Sequence, residues 1–274
     1  MKTPLRFLFV CVLGALGLHA QPARDQTIAW WRLDTFVGDI APARGGPDLR
    51  LWLEKSTSVE PVSKEAPPRA LYASRVTPAA GSLELGLLYG SGAGALQQKD
   101  LWDAAWPREG LTVEGFFRNI DEGLKGRRAI VSCGDGRNDA AWTVAIENGN
   151  LTFSVFRDGD SDPTYSLSIS RDTRNGKWHY FVVQVRPDAA RKTQTIHLLL
   201  KPEGAEALSN RQELPADFVA RAHQKGLIVG RSSVFYDTKP EYRGTLDTFR
   251  GNLADIRISS APLEADKLLG VVTR

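Results

Sequence analysis

The sequence predicts an all-β fold, an antiparallel sandwich or barrel, on three observations. A hairpin is written out between residues 142 and 155, further short apolar runs follow at close intervals, and no long helical pattern separates them. In the hairpin, Trp142, Val144 and Ile146 alternate with Thr143, Ala145 and Glu147; Leu151, Phe153 and Val155 alternate with Thr152, Ser154 and Phe156. Between them, Asn148-Gly149 supplies the two positive-φ positions of a tight turn. Closing that turn pairs Glu147 with Asn150 and sets Ile146 against Leu151, Val144 against Phe153 and Trp142 against Val155. A slip of one residue would turn these apolar side chains to water, so turn and pattern specify one register.

The other elements follow in order. Leu111, Val113 and Phe117 share one strand face, and Thr112, Glu114, Phe116 and Arg118 the other. Tyr165, Leu167 and Ile169 alternate with serines, whereas Trp178 to Val185 is apolar almost throughout, as in a strand covered on both faces. Ile196 to Leu200 and Leu227 to Val229 are shorter runs, and Ala254, Ile256 and Ile258 alternate with Asp255 and Arg257. Asp158-Gly159, Asn175-Gly176, Pro202-Glu203-Gly204 and Gly251-Asn252 read as turns. One or two short helices are expected: Pro215 to Lys225, with Phe218, Val219 and Ala222 on one side, and a terminal turn from Leu263 to Leu269 closed by Gly270. Residues 41–68 read as loop-rich and sparsely stranded. Many short strands without alternating long helices argue for a single antiparallel sandwich or barrel.

Lys2 and Arg6, the apolar run from Phe7 to Leu18 and the small Ala20 form the layout of a secretory signal peptide over residues 1–20, with cleavage near Ala20 or Ala23. An exported protein is therefore expected: extracellular, periplasmic or on the cell surface. No later stretch approaches membrane-spanning length. The formal charge is +3, falls to +1 without Lys2 and Arg6, and is spread without blocks, so no nucleic-acid surface is predicted. Loss of Cys11 leaves Cys133, which cannot form an internal disulfide and reads as a small buried hydrophobe. The oligomeric state stays open.

Four segments carry a family resemblance. Trp31-Arg32-Leu33-Asp34 looks like a first strand of the form Trp-x-Leu/Phe-Asp, and Leu111-Thr112-Val113-Glu114-Gly115-Phe116-Phe117 is similar to Phe-Thr-Val-Glu-x-Trp. Gly176-Lys177-Trp178-His179-Tyr180-Phe181-Val182-Val183 is close to Gly-Lys-Trp-His-x-Val-Ala, and residues Phe249 to Ile258 resemble a closing Phe-x-Gly-x-Ile-Asp-Glu-Val-Arg-Ile, followed by the tail Ala261 to Asp266. In this order they resemble the laminin-G-like domain of the concanavalin A-like lectin/glucanase superfamily, over roughly residues 28 to 270. The resemblance implies a jelly roll of two antiparallel sheets, and for His179 a packing or hydrogen-bonding role. The family's closing strand usually carries an acidic residue where Ala254 stands, and its Tyr-x-Asp-Gly turn is replaced by the longer Leu198 to Gly204.

Catalytic chemistry finds little foothold. Related β-glucanases aim carboxylates into one cleft with Glu-x-Asp-x-x-Glu, and no such string occurs. Glu114, on a suitable strand, lacks an acidic neighbour two residues away and reads as structural or solvent-facing. His179, His197 and His223 form no ligand cluster by spacing, and Gly90 to Ala95 reads as a turn and not a dinucleotide fingerprint. Asp158, Asp160 and Asp162 are the calcium candidates, since alternating carboxylates in a loop can converge on a hard cation. Asp135, Asn138 and Asp139 are a weaker set, and Asn150-Leu151-Thr152 is a formal glycosylation sequon.

The expected activity is noncatalytic recognition of a glycan or of an extracellular or envelope protein, through loops at the sandwich rim. Aromatic side chains suit such contacts. Trp102, Tyr236 and Tyr242, with Asp237 and Arg243 as polar neighbours, are the candidate ligand-binding residues; Trp52 and Trp106 also qualify by position. The alternatives are a glycoside hydrolase with an unusual carboxylate arrangement and a structural envelope component.

Overall fold

A computed structural model describes residues 27–35, 40–42, 50–53, 62–85, 94–95, 106, 109–120, 126–134, 140–160, 162–221, 227–230 and 249–272. Residues 1–20, where a signal peptide is expected, lie outside these. No helix among the described residues is long and apolar enough to cross a membrane.

Two sheets form the body. The first has the order β14 (Leu208–Pro215), β13 (Thr193–Pro202), β12 (Trp178–Asp188), β7 (Leu111–Asn119), β16 (Gly251–Ser259), β5 (Ser82–Leu85) and β4 (Val62–Ser63), with β1 (Thr27–Trp31) also on β16. The second runs β11 (Tyr165–Ile169), β10 (Asn150–Val155), β9 (Trp142–Glu147), β8 (Arg127–Cys133), β15 (Leu227–Val229), β6 (Gly94–Ala95), β3 (Arg50–Leu53) and β2 (Ile40–Pro42). All described pairings are antiparallel. The protein is an all-β, two-sheet antiparallel sandwich.

The hairpin forms in the register that its turn dictates: Glu147 pairs with Asn150, Val144 with Phe153 and Trp142 with Val155, and Asn148 and Gly149 take φ of 52° and 88°. Its apolar face meets Val113, Phe117, Phe181, Val183, Ile196 and Ile256 of the first sheet in the inter-sheet core. Each such side chain contributes about 1.5–3 kcal/mol on full burial. Cys133 is fully buried in the same core, and burial pushes its thiol up, away from reactivity. The hairpin's polar face is also enclosed. Thr152 and Ser154 bond across to Ser168 and Ser166 at 2.9 and 3.3 Å, so their hydroxyls are satisfied without water.

Four local expectations are corrected. Residues 215–221 are not helical; Pro215 ends β14, a turn follows, and Val219 is exposed while Phe218 is buried edge-on to Trp106 and Tyr165. The helical pieces among the described residues are two three-residue 3-10 turns, Arg69–Leu71 and Ala265–Lys267. Gly251-Asn252 opens β16 and makes no turn, and Gly94-Ala95 forms β6, paired to Val229 and Ile228. Ala254 does not share a face with Ile256 and Ile258. A bulge with Asp255 at φ 48° shifts the alternation, so Leu253 joins Ile256 in the inner core and Ala254 faces outward.

His179 stands in the inner face, fully buried and stacked on Phe117 at 5.0 Å. Burial, with Arg171 and Lys177 adding positive charge, pushes its pKa down to about 4. A folded-state value below the ordinary 6.5 means stability that is complete above pH 6.5 and drains as pH falls toward 4, by about 2–3 kcal/mol. Asp255 acts oppositely. Burial raises it to about 6, so it stabilises the fold most below pH 4 and less as pH rises through 6. Urea titrations of wild type and His179→Phe at pH 7 and 4.5 are expected to show the variant gaining on wild type by about 2 kcal/mol at the lower pH. An unchanged difference would remove His179 as the acid-sensitive group.

Candidate functional site

The outer face of the first sheet is covered by two non-strand segments. Residues 66–80 and 261–272 clamp to each other through Ala73 N to Leu269 O (2.8 Å) and Val271 N to Leu71 O (2.9 Å). They bury Phe116, Trp178, Tyr180 and Ala254 under Leu71, Tyr72, Leu263 and Leu268. Gly270 makes the close approach possible, because a Cβ there would lie 2.3 Å from the Tyr180 ring.

Beneath this cover lie two carboxylates, each held by fixed donors. Glu114 is fully buried and neither solvent-facing nor free. Arg257 donates through Nε at 2.7 Å and through Nη2, the Leu269 amide donates at 2.7 Å, and the Tyr180 hydroxyl donates to Oε2. Burial, then the Glu114 charge, pushes the Tyr180 hydroxyl far up, so it remains a donor. Asp255 accepts from Trp30 Nε1 at 2.9 Å and the Tyr72 hydroxyl at 2.6 Å. Arg32 Nε lies 3.0 Å from it as an ion pair without hydrogen-bond alignment. The Trp31-Arg32-Leu33-Asp34 segment thus ends β1 in a corner, with Leu33 at φ 62° and Asp34 accepting from Ala80 N.

Beside the cover, the outer face of β12, β13 and β14 opens into a cleft of about 380 Å³. Buried Val182, Leu199, Leu263 and Leu268 form its floor. Cross-strand register sets Gln184, His197 and Arg211 in one row, with Arg186 beside them. Arg186 is anchored to Glu264 (3.2 Å), the Leu263 carbonyl (3.0 Å) and Gln184 Oε1. Among the described residues the Arg211 guanidinium has no partner. His197 is partly buried, with Nε2 enclosed and unpaired; burial, then the charges of Arg211 and Arg186, lower its pKa and keep it neutral at pH 7. The cleft can orient an anion above an apolar surface.

The structure gathers few of the residues singled out from sequence. Trp102, Tyr236, Asp237, Tyr242 and Arg243 lie outside the described residues, as do Asp135, Asn138, Asp139, His223 and the Trp52 side chain. Trp106 is buried and donates to Gln194 Oε1 at 2.6 Å, a packing role. Of the calcium candidates, Asp158 and Asp162 are exposed and Asp160 accepts from the Thr164 hydroxyl at 2.5 Å. The guanidinium of Arg221 donates to the Arg157 and Asp160 carbonyls of the same loop. Among the described residues no three His, Cys, Asp or Glu side chains are grouped to hold a metal ion. The cleft itself was missed, since its walls come from residues 182 to 211 and from the tail after 263. The one available signal was the polarity of Gln184, Arg186 and His197 on strands otherwise apolar; Arg211 lies in a polar run and gave none.

No protein-family model and no curated protein sequence matches the chain. Solved structures do. The binding domain of botulinum neurotoxin DC in complex with SialylT is 12% identical, with a TM-score of 0.53 over 89% of this chain and 50% of that one. The same binding domain in complex with rat synaptotagmin II is 13% identical, with a TM-score of 0.52 over 88% and 49%. A botulinum neurotoxin type C structure, described as dependent on two ganglioside molecules for cell entry, is 13% identical, with a TM-score of 0.53 over 87% and 48%. The chain spans about half the length of these structures. At such identity the likeness is one of fold: the β-sandwich is shared with these botulinum neurotoxin structures.

Proposed function

We propose that this protein is an exported, noncatalytic recognition module of laminin-G-like type that binds a glycan or a protein. The observation that carries this reading is how the strand carboxylates are engaged. Glu114 and Asp255 are saturated by internal donors beneath a cover, while the open surface offers donors over an apolar floor. General acid–base chemistry needs a carboxyl within reach of substrate, and these two are committed to holding the fold. The motifs from Trp31 to Asp266 support the laminin-G-like assignment, and the first twenty residues support export. Rim residues Trp102, Tyr236, Asp237, Tyr242 and Arg243 are the proposed contacts, with calcium at Asp158, Asp160 and Asp162 as an optional organiser of the neighbouring loop. Of the neurotoxin structures named above, one is in complex with SialylT and one with rat synaptotagmin II, so both a glycan and a protein class belong in the test.

The test pairs a glycan array containing neutral and sialylated glycans with pull-downs from extracellular and envelope extracts. Each is run in calcium and in EDTA. Tyr236→Ala and Tyr242→Ala are expected to weaken binding at least tenfold with unchanged melting temperature, and EDTA to do so if the loop takes calcium. Silence on both panels, or variants that bind like wild type, would reject the rim-loop reading.

A further inference from the structure

We propose that the cleft between β12–β14 and the tail after Leu263 is a binding site for a small aliphatic carboxylate. It stands apart from the rim-loop reading and does not depend on it. Three features of the cleft select this chemistry. Arg211 presents a guanidinium with no partner among the described residues, whereas Arg186 is neutralised by Glu264 and pinned by Leu263 and Gln184. The lining therefore carries one uncompensated positive charge, and an exposed guanidinium favours a planar carboxylate in a forked geometry. Glu264, the only acidic side chain among the described residues of the lining, is already held by Arg186 and does not face an incoming anion unpaired.

The floor is aliphatic. Val182, Leu199, Leu263, Leu268 and Val272 supply it, and the described residues of the lining include no tryptophan, tyrosine or phenylalanine. Sugar rings bind best on flat aromatic faces, so this floor suits methylene groups instead. Each methylene taken from water onto it is worth roughly fourfold in affinity. A cleft of about 380 Å³ lies at the small end of ligand sites, fitting a chain of several carbons and not a long lipid. The position of His197 fits the same ligand. It stands in the row between Gln184 and Arg211, neutral and with an unpaired ring nitrogen, where a bound anion would lower the cost of its protonation.

The test is calorimetric titration of the full chain with sodium octanoate, sodium acetate and octyl glucoside, which separate charge from aliphatic body. Saturable one-to-one binding of octanoate is expected, at least tenfold tighter than either comparison compound. Arg211→Gln, at an exposed position, should weaken octanoate at least tenfold, since a charge-assisted hydrogen bond is worth about that or more. Ser209→Trp, on the same exposed face of β14, should block the cleft while leaving the circular dichroism spectrum unchanged. Octanoate binding no tighter than acetate, or unaltered in both variants, would overturn the proposal. If octanoate fails while the glycan or protein panels show loop-dependent binding, this cleft is rejected and the recognition reading stands.

Discussion

Glu114→Ala is expected to lower the stability of the fold by about 3–5 kcal/mol, the usual cost of stripping one partner from a buried ion pair. The substitution leaves the nearly inaccessible Arg257 guanidinium opposed, among the described residues, only by the Lys267 carbonyl at 2.6 Å and the Trp30 ring at 5.9 Å. It also removes the acceptor of the Tyr180 hydroxyl proton and of the Leu269 amide, each buried and each adding to the penalty. Against a typical stability of about 5–15 kcal/mol, the loss removes roughly a fifth of the total at the least. The damage should be local first, because the Leu269 amide is what pins the tail to the sheet. Urea denaturation reads the global cost, and hydrogen exchange at Leu269 reads release of the tail. Glu114→Gln, which keeps the shape and one acceptor, should cost less. A loss below about 1 kcal/mol with Leu269 still protected would mean that the network contributes little.

The second large effect is expected at Gly251. Its φ of 138° lies in a region that essentially only glycine occupies, and a Cβ there would fall 1.9 Å from the Arg118 carbonyl oxygen. That carbonyl belongs to β7, the neighbour of β16, so relief requires prising apart two central strands of the first sheet. Gly251→Ala should therefore cost about 3 kcal/mol or more and reduce soluble yield. Gly159→Ala is the control. Its φ is 85° but nothing lies within 4 Å of the added carbon, so only the conformational penalty of about 1–2 kcal/mol remains. Equal losses at the two positions would show that backbone conformation alone, and not contact with Arg118, accounts for Gly251.

Much of the sandwich could be read from alternation. Trp142 to Val155 paired as its turn demanded, and Trp178 to Val185 is indeed buried on both faces. What alternation could not reveal is what covers an outer face. Glu114 read as structural or solvent-facing; it is structural, and alternation could not decide between the two because its cover comes from Leu269, 155 residues away. Ala254 was misplaced because a bulge at Asp255 leaves no mark in a two-residue period. Strand β14 went unseen, and a helix was expected just after it, since Ser209-Asn210-Arg211-Gln212-Glu213 lacks any apolar rhythm. The cleft was hidden for the same reason: two of its walls are β14 and the tail. The rim residues proposed from sequence lie outside the described residues.

The polarity that concealed β14 has its own physical effect. This strand ends the order of the first sheet, its Asn210 amide ties across to the Ser168 carbonyl of β11 at 2.8 Å, and Pro215 closes it. A border of that kind offers a stray chain charged side groups and a residue without an amide hydrogen, and so resists lateral growth into fibrils. At high concentration this flank is therefore expected to resist strand-to-strand pairing between copies of the chain.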